Sequence, residues 1–413
     1  MSKPLENRAK FFSLITDRKL YDCLNQTVPI LLGIFIFMNP FPATTIKEIS
    51  FYSSVLIVLV LLVSKKNILS VKTPMGFSLI IFALWSFLSI FWALNVENTI
   101  HDFRAHLLKH IVLFFLLINF FNSRKRFYIL VSIFMISVTL FSLTAMVNFY
   151  VIQGNPITKR FGITFTEVPI NFIGSITITA MIIGLNILYQ EHNKFRRMLF
   201  VACLITIFTA TILTQSRGTL IAMIIAIACE LFIKNKKIIL VFFLIIVGFL
   251  MINFFQQRLL SFKSLTERIR INYLTFEVIK DYPVTGIGFG MQTFVQNIKQ
   301  KDYLNRIPKK YLPVNVRSTH NIFLSIAVRL GIVGLLLFLN ILFVFGKLSC
   351  HVVIQAKDDF IKNWGYATIN IFVAYLIIGI LEPLFLFHAS AIVFYLIISM
   401  ITILWQINEQ EIT

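Results

Sequence analysis

The sequence predicts an all-α, polytopic integral membrane protein of about twelve transmembrane helices with one large helical loop outside the bilayer. Three observations carry that prediction. Hydrophobic residues make up 58% of the 413-residue chain, with 44 Phe and only 14% charged residues, far from the balance of a soluble domain. Apolar runs long enough, or nearly so, to cross about 30 Å of hydrocarbon recur along the chain. Lys and Arg crowd into every second turn between those runs, the asymmetry that orients membrane helices.

In chain order, the first 26 residues carry Lys3, Arg8, Lys10, Arg18 and Lys19. No small-residue cleavage site follows, so the first apolar run reads as an uncleaved span. The runs lie near residues 27–46, 49–63, 75–93, 107–121, 127–151, 168–189, 198–214, 217–233, 237–255, 320–346, 364–382 and 387–405. The second is short, and Asn39-Pro40-Phe41-Pro42 breaks the end of the first. Cys23, Cys203, Cys229 and Cys350 offer neither a disulfide framework nor zinc spacing. Without internal repeats, the chain reads as a single membrane domain over 1–413, with 256–319 inserted as a loop between spans nine and ten.

Charge gives the orientation. With the N-terminus cytoplasmic, the inside segments hold twenty Lys/Arg, including Arg124/Lys125/Arg126, Lys194/Arg196/Arg197 and Lys347/Lys357/Lys362. The short outside loops hold five: Lys47, Arg104, Lys159, Arg160 and Arg217. Both termini are then expected in the cytoplasm and the long loop outside it; such long translocated segments are largely exempt from the bias. Residues 256–321 contain eleven Lys/Arg against Glu267, Glu277, Asp281 and Asp302, a net +7 beside a bilayer. Such a surface attracts anions, whether lipid headgroups or a phosphate-bearing substrate. Within it, Ser264-x-x-Glu267 reads as a capping box opening a helix to about Asp281, stopped by Pro283. One face of that helix carries Arg268, Asn272 and Thr275, and a second short helix is expected from Met291 to Gln300.

Arg217, in Thr214-Gln215-Ser216-Arg217-Gly218-Thr219, sits at the outer junction of two spans. An arginine there either snorkels or meets an anion, and Gly218 with the flanking hydroxyls suits an anion at a helix start. Arg268 and Arg270 bring guanidinium forks that match phosphate oxygens, or else form a solvated face. Gly286, Gly288 and Gly290 form a turn returning the loop to the membrane; without a preceding strand they make a weak nucleotide cradle. His320 lies at the outer start of a long span, where the helix dipole favours a neutral ring able to accept a proton; the alternative is a helix cap. His101, His106 and His110 with Glu97, Asp102 and Arg104 match no compact metal set, so no metal site is expected. Glu382 and His388 flank Pro383 and are candidates for the same cavity, while Lys109 and Arg329 need partners or a cavity within apolar runs.

Ser216-Arg217-Gly218, Arg268 with Tyr282-Pro283-x-x-Gly286-x-Gly288-x-Gly290, and His320-Asn321-x-Phe323-Leu324 with Gly331-x-x-Gly334 resemble the O-antigen ligase and polymerase superfamily of bacterial inner membranes. The resemblance covers topology over most of the chain and motifs from about 210 to 335. It implies an inverting, metal-independent glycosyltransferase, without cofactor, that moves O-antigen from undecaprenyl pyrophosphate to the lipid A-core oligosaccharide at the periplasmic face. Arg217 and Arg268, with Arg270, would hold the donor pyrophosphate and His320 would activate the acceptor hydroxyl. Many relatives have Trp four residues after the loop arginine; here Asn272 and Tyr273 stand there, which leaves Arg268 against Arg270 open. Membrane lipids are the other expected partners, and no nucleic acid is. The competing expectations are an O-antigen polymerase using the same donor and, more distantly, a lipid or anion transporter.

Overall fold

The structure, a computed structural model, describes residues 18–63, 69–162, 170–234, 263–298, 300–313 and 318–412. Twelve helices organise it: α1 (Arg18–Met38), α2 (Thr44–Val63), α3 (Pro74–Leu88), α4 (Val96–Phe120), α5 (Arg124–Ile152), α6 (Ile170–Gln190), α7 (Lys194–Leu213), α8 (Arg217–Lys234), α9 (Lys263–Asp281), α10 (Ile322–Gln355), α11 (Asp359–Leu381) and α12 (His388–Ile412). No strand occurs among the described residues. Ten of these helices, all except α8 and α9, are long and apolar enough to cross a membrane. The eighteen residues of α8 include Arg217, Glu230 and Lys234. Glu230, buried in its second half, accepts from Asn370 Nδ2 of α11 at 3.1 Å. The ninth expected span, 237–255, lies outside the described residues.

Helix boundaries follow local chemistry more than the apolar runs. The first helix begins at Arg18, nine residues ahead of its apolar run, and stops at Met38, where Pro40 and Pro42 end it. α4 likewise starts early, at Val96, because Asn95 caps it by accepting from the Asn98 N–H at 2.9 Å. α6 and α12 form the centre, with 94% and 89% of their spanning residues buried, against 28% for α1 and α2 at the rim.

Four contacts fix the ends of the bundle. Arg124, opening α5, pairs with Asp358 before α11 and with Glu411 near the end of α12. At the opposite end Asn39, just past α1, donates to the carbonyl of Ala389 in α12, and Asn321 donates to that of Ile380 in α11. The start of α10, the end of α11 and the start of α12 therefore share the end away from Arg124. Buried Lys109 of α4 pairs with Glu48 and stands 5.3 to 5.8 Å from the ring centres of Phe35, Phe51 and Tyr52.

The loop helix α9 is helical at Lys263, one residue ahead of the expected opening at Ser264. Its buried stripe, Ile271, Leu274, Thr275 and Val278, follows helical spacing and packs over Val328 of α10 with Phe294, Ile298 and Tyr303. The expected Met291–Gln300 helix is instead two short pieces, Thr293–Gln296 and Gln300–Leu304, with a helix end at Asn297 between them. Asp281, the last residue of α9, takes two hydrogen bonds from Arg306 at 2.8 and 2.9 Å. Those bonds, with one from Tyr303, hold its carboxyl below the usual carboxylate range.

α10 is broken at Gly331, whose φ of +67° is a left-handed conformation; a Cβ there would lie 2.0 Å from the Val284 carbonyl oxygen. The break frees backbone groups that the glycine turn and a tryptophan then satisfy. Leu330 O accepts from Trp85 Nε1, Val328 O from the Ile287 N–H and Arg329 O from the Gly288 N–H, while the Ile332 N–H donates to Pro283 O. The buried guanidinium of Arg329 donates to Phe289 O and stacks 4.2 Å from the Phe289 ring.

Candidate active site

At the end of the bundle away from Arg124, three segments are tied together by backbone chemistry. Asn321 caps α10 from an extended conformation, its Oδ1 accepting from the Phe323 and Leu324 N–H groups at 2.8 and 3.1 Å. Its Nδ2 donates to Ile380 O at 3.1 Å, which fastens the start of α10 to the end of α11. The cap is thus Asn321, and His320 stands one residue before it with its ring otherwise uncommitted to the helix. Glu382 ends α11 in an extended conformation and Pro383 bars continuation.

Glu382 joins what the sequence separates by more than sixty residues. Its side chain is 5% exposed; Oε1 accepts from an Arg268 terminal nitrogen and Oε2 faces His320 Nδ1 at 3.4 Å. Arg268 and His320 are each 23% exposed, so both reach the surface while the carboxylate behind them is shielded. A carboxylate on Nδ1 favours the tautomer with the proton on that nitrogen and leaves Nε2 as the acceptor. The buried carboxylate therefore orients one ring and one guanidinium at once.

Arg217 opens α8 at the same end. A Cβ on the next residue, Gly218, would lie 2.8 Å from Leu381 Cδ1, so the missing side chain lets α8 begin against the residue preceding Glu382. The chain reverses into α8 through Gln215, whose φ of +49° is costly for a residue with a Cβ. Thr214 holds this turn: its Oγ1 donates to Thr211 O at 2.7 Å, and its carbonyl accepts from Arg160 Nε at 2.7 Å. Among the described residues, buried Gln215 Nε2 and Thr219 Oγ1 meet no hydrogen-bond partner, so the α8 entry retains unused polar capacity beside Arg217.

The other sequence candidates sit elsewhere. Arg270 donates to Glu267 Oε1 at 2.6 Å, one turn back on α9, and does not join Glu382. Gly286 and Gly288 have φ of +69° and +101°, and a Cβ on Gly286, Gly288 or Gly290 would lie within 2.5 Å of neighbouring atoms. Their turn threads between α10 and the start of α4. Its amides are spent on protein: Phe289 N–H on Ser89 Oγ, Gly290 N–H on Thr99 Oγ1 and Met291 N–H on Asp102 Oδ2. A phosphate would find no open nest there.

Asp102 also accepts from Asn98 and meets His101 Nδ1 at 2.9 Å. His388 stacks on His106 at 3.8 Å between ring centres, away from Glu382. The two residues flanking Pro383 thus part company. Among the described residues, no group of three or more His, Cys, Asp or Glu side chains is arranged to hold a metal ion. Glu382 is the member that sequence reasoning underrated; an acid against a proline at the end of an apolar run, on the side of His320, was the available signal.

Residues 200–339, from α7 through the glycine turn and His320 into the second half of α10, match a family model described as O-antigen ligase. No curated protein matches the chain.

Proposed function

We propose that the chain, whose residues 200–339 match the O-antigen ligase family model, is the ligase of the O-antigen ligase and polymerase superfamily: an inverting glycosyltransferase moving O-antigen from undecaprenyl pyrophosphate to lipid A-core oligosaccharide. The observation that carries this reading is the buried Glu382 carboxylate shared by Arg268 and His320. It couples an anion-binding group to a base in one small unit at a partly exposed surface.

In the proposed reaction Arg217 and Arg268 hold the donor pyrophosphate, with Arg270 two residues further along the same helix. An acceptor sugar hydroxyl gives its proton to His320 Nε2 as its oxygen attacks the anomeric carbon opposite the pyrophosphate. The new glycosidic C–O bond forms while the bond to the pyrophosphate oxygen breaks, inverting the centre. Undecaprenyl pyrophosphate leaves with its negative charge against the guanidinium groups, and Glu382 stabilises the imidazolium. Charge on the leaving group is already delocalised over phosphate oxygens, so two arginines and one base supply the needed stabilisation.

The same reading puts the protein in the bacterial inner membrane with the site facing the periplasm. Supporting it, Arg124, Lys125 and Arg126 lie at the end of the bundle opposite Glu382, as the positive-inside bias requires. A polymerase would use the same donor and a lipid-linked acceptor. The lipopolysaccharide profile of a deletion strain tests the choice. The ligase reading expects loss of the whole ladder with lipid-linked polymer accumulating; a core carrying one repeat unit would make it a polymerase.

A further inference from the structure

A second feature runs along the rim, from the Arg126 level toward the Asn39 end. α1 and α5 part to leave an open groove of about 520 Å³. On the α1 side it follows one stripe, from Gln26 through Ile30 and Gly33 to Met38; on the α5 side it is lined by Arg126, Ile129 and Ile133. The twelve helical steps from Gln26 to Met38 span about 18 Å at ~1.5 Å each, close to the extended length of a common fatty-acyl chain. The helices touch at Gly33, where a Cβ would lie 3.1 Å from Ile133 Cδ1. Ile30 is 63% exposed, so the trough opens outward, toward lipid in a membrane.

The charge at its Arg124 end is one-sided. Arg124 is committed to Asp358 and Glu411. Arg126 donates one N–H to Phe120 O at 3.3 Å, which leaves most of the five guanidinium donors. No carboxylate stands within ion-pair distance of Lys125 or Arg126 among the described residues. An apolar trough of acyl length that ends at an unneutralised guanidinium is complementary to one class of molecule. We propose that this groove binds a glycerophospholipid with a net-negative headgroup, one acyl chain along α1 and its phosphate on Arg126. The phosphate end of this groove, at Arg126, lies at the end of the bundle away from Glu382, and the binding is distinct from the reaction assigned there.

The test uses the full-length chain, purified and delipidated in mild detergent, with phosphatidylglycerol and phosphatidylcholine as probes. Native mass spectrometry and thermal midpoints read binding. The wild type should retain phosphatidylglycerol and gain thermal midpoint with it, more than with phosphatidylcholine. Arg126→Gln should weaken phosphatidylglycerol retention about tenfold, the worth of one charge-assisted hydrogen bond, and erase the difference between the lipids. Ile30→Trp, which fills the trough at an exposed position, should lower retention of both lipids and serves if Arg126→Gln does not fold. Equal retention of the two lipids by the wild type overturns the proposal. So does unchanged retention in Ile30→Trp, or a crosslink from residues 1–17 to a cysteine at position 30, which would show that the chain's own N-terminal segment fills the groove.

Discussion

Replacing Glu382 with Gln isolates the shared carboxylate. The amide keeps the volume and one carbonyl oxygen but loses the charge that Arg268 and His320 divide. An amide N–H turned toward His320 Nδ1 makes that nitrogen the acceptor and moves the proton to Nε2, the wrong tautomer for a base. Loss of a positioned base is worth a factor of about 10² to 10⁴, so transfer should fall roughly 10³-fold, on the order of 4 kcal/mol of barrier. The folding cost is smaller. Arg268 is 23% exposed and partly screened, so losing the pair should cost about 1–2 kcal/mol, below the loss expected for a fully buried pair. Donor binding and transfer are measured in the same membrane preparation, normalised to folded protein. Because Glu382 acts through both His320 and Arg268, Glu382→Gln combined with His320→Ala should lose less than the product of the two single losses, with only the share carried by Arg268 remaining. Wild-type transfer by Glu382→Gln, or fully additive losses in the double variant, would refute the shared-carboxylate account.

Other outcomes follow from the same geometry. His320→Ala should keep most donor binding yet lose transfer by about 10² to 10⁴, read in the same assay; loss of both together would make the histidine structural. Arg217→Lys should fail nearly as badly as Arg217→Ala, because an ammonium cannot reproduce paired hydrogen bonds to phosphate, and Arg270→Ala should be milder than Arg268→Ala, since Arg270 is paired to Glu267. Gly331→Ala should lower the thermal midpoint of the purified protein, with at least about 1–3 kcal/mol of backbone strain before the clash with Val284 O is counted. Asp281 has its folded-state pKa lowered by Arg306, so the pair contributes stability above the ordinary carboxylate pKa and loses it as pH falls through the lowered value. The thermal-midpoint gap between wild type and Arg306→Ala should therefore close on acidification.

The spans were legible because burial in lipid demands composition, and composition is local. Where a helix starts was less so: α1 and α4 run ahead of their apolar stretches through polar residues that a hydropathy reading assigns to turns. The break in α10 had a sequence trace in Gly331, but its cause is the Val284 carbonyl, 47 residues earlier in the chain. The motifs brought His320 and Arg268 into view one at a time. Their junction was not legible, because Glu382 reaches Arg268 across 114 positions and His320 across 62. His388, equally plausible beside Pro383, went to His106 because the first residue of α12 projects toward α4, while the last extended residue of α11 projects toward α9.

The central claim is transfer to a lipid A-core acceptor, and reconstitution tests it most directly. Purified chain in proteoliposomes, given undecaprenyl-pyrophosphate-linked polysaccharide and lipid A-core, should yield polysaccharide covalently joined to the core and released undecaprenyl pyrophosphate, with His320→Ala inactive beside it. Elongated lipid-linked polysaccharide with the core left bare would contradict the account and assign the chain to polymerisation.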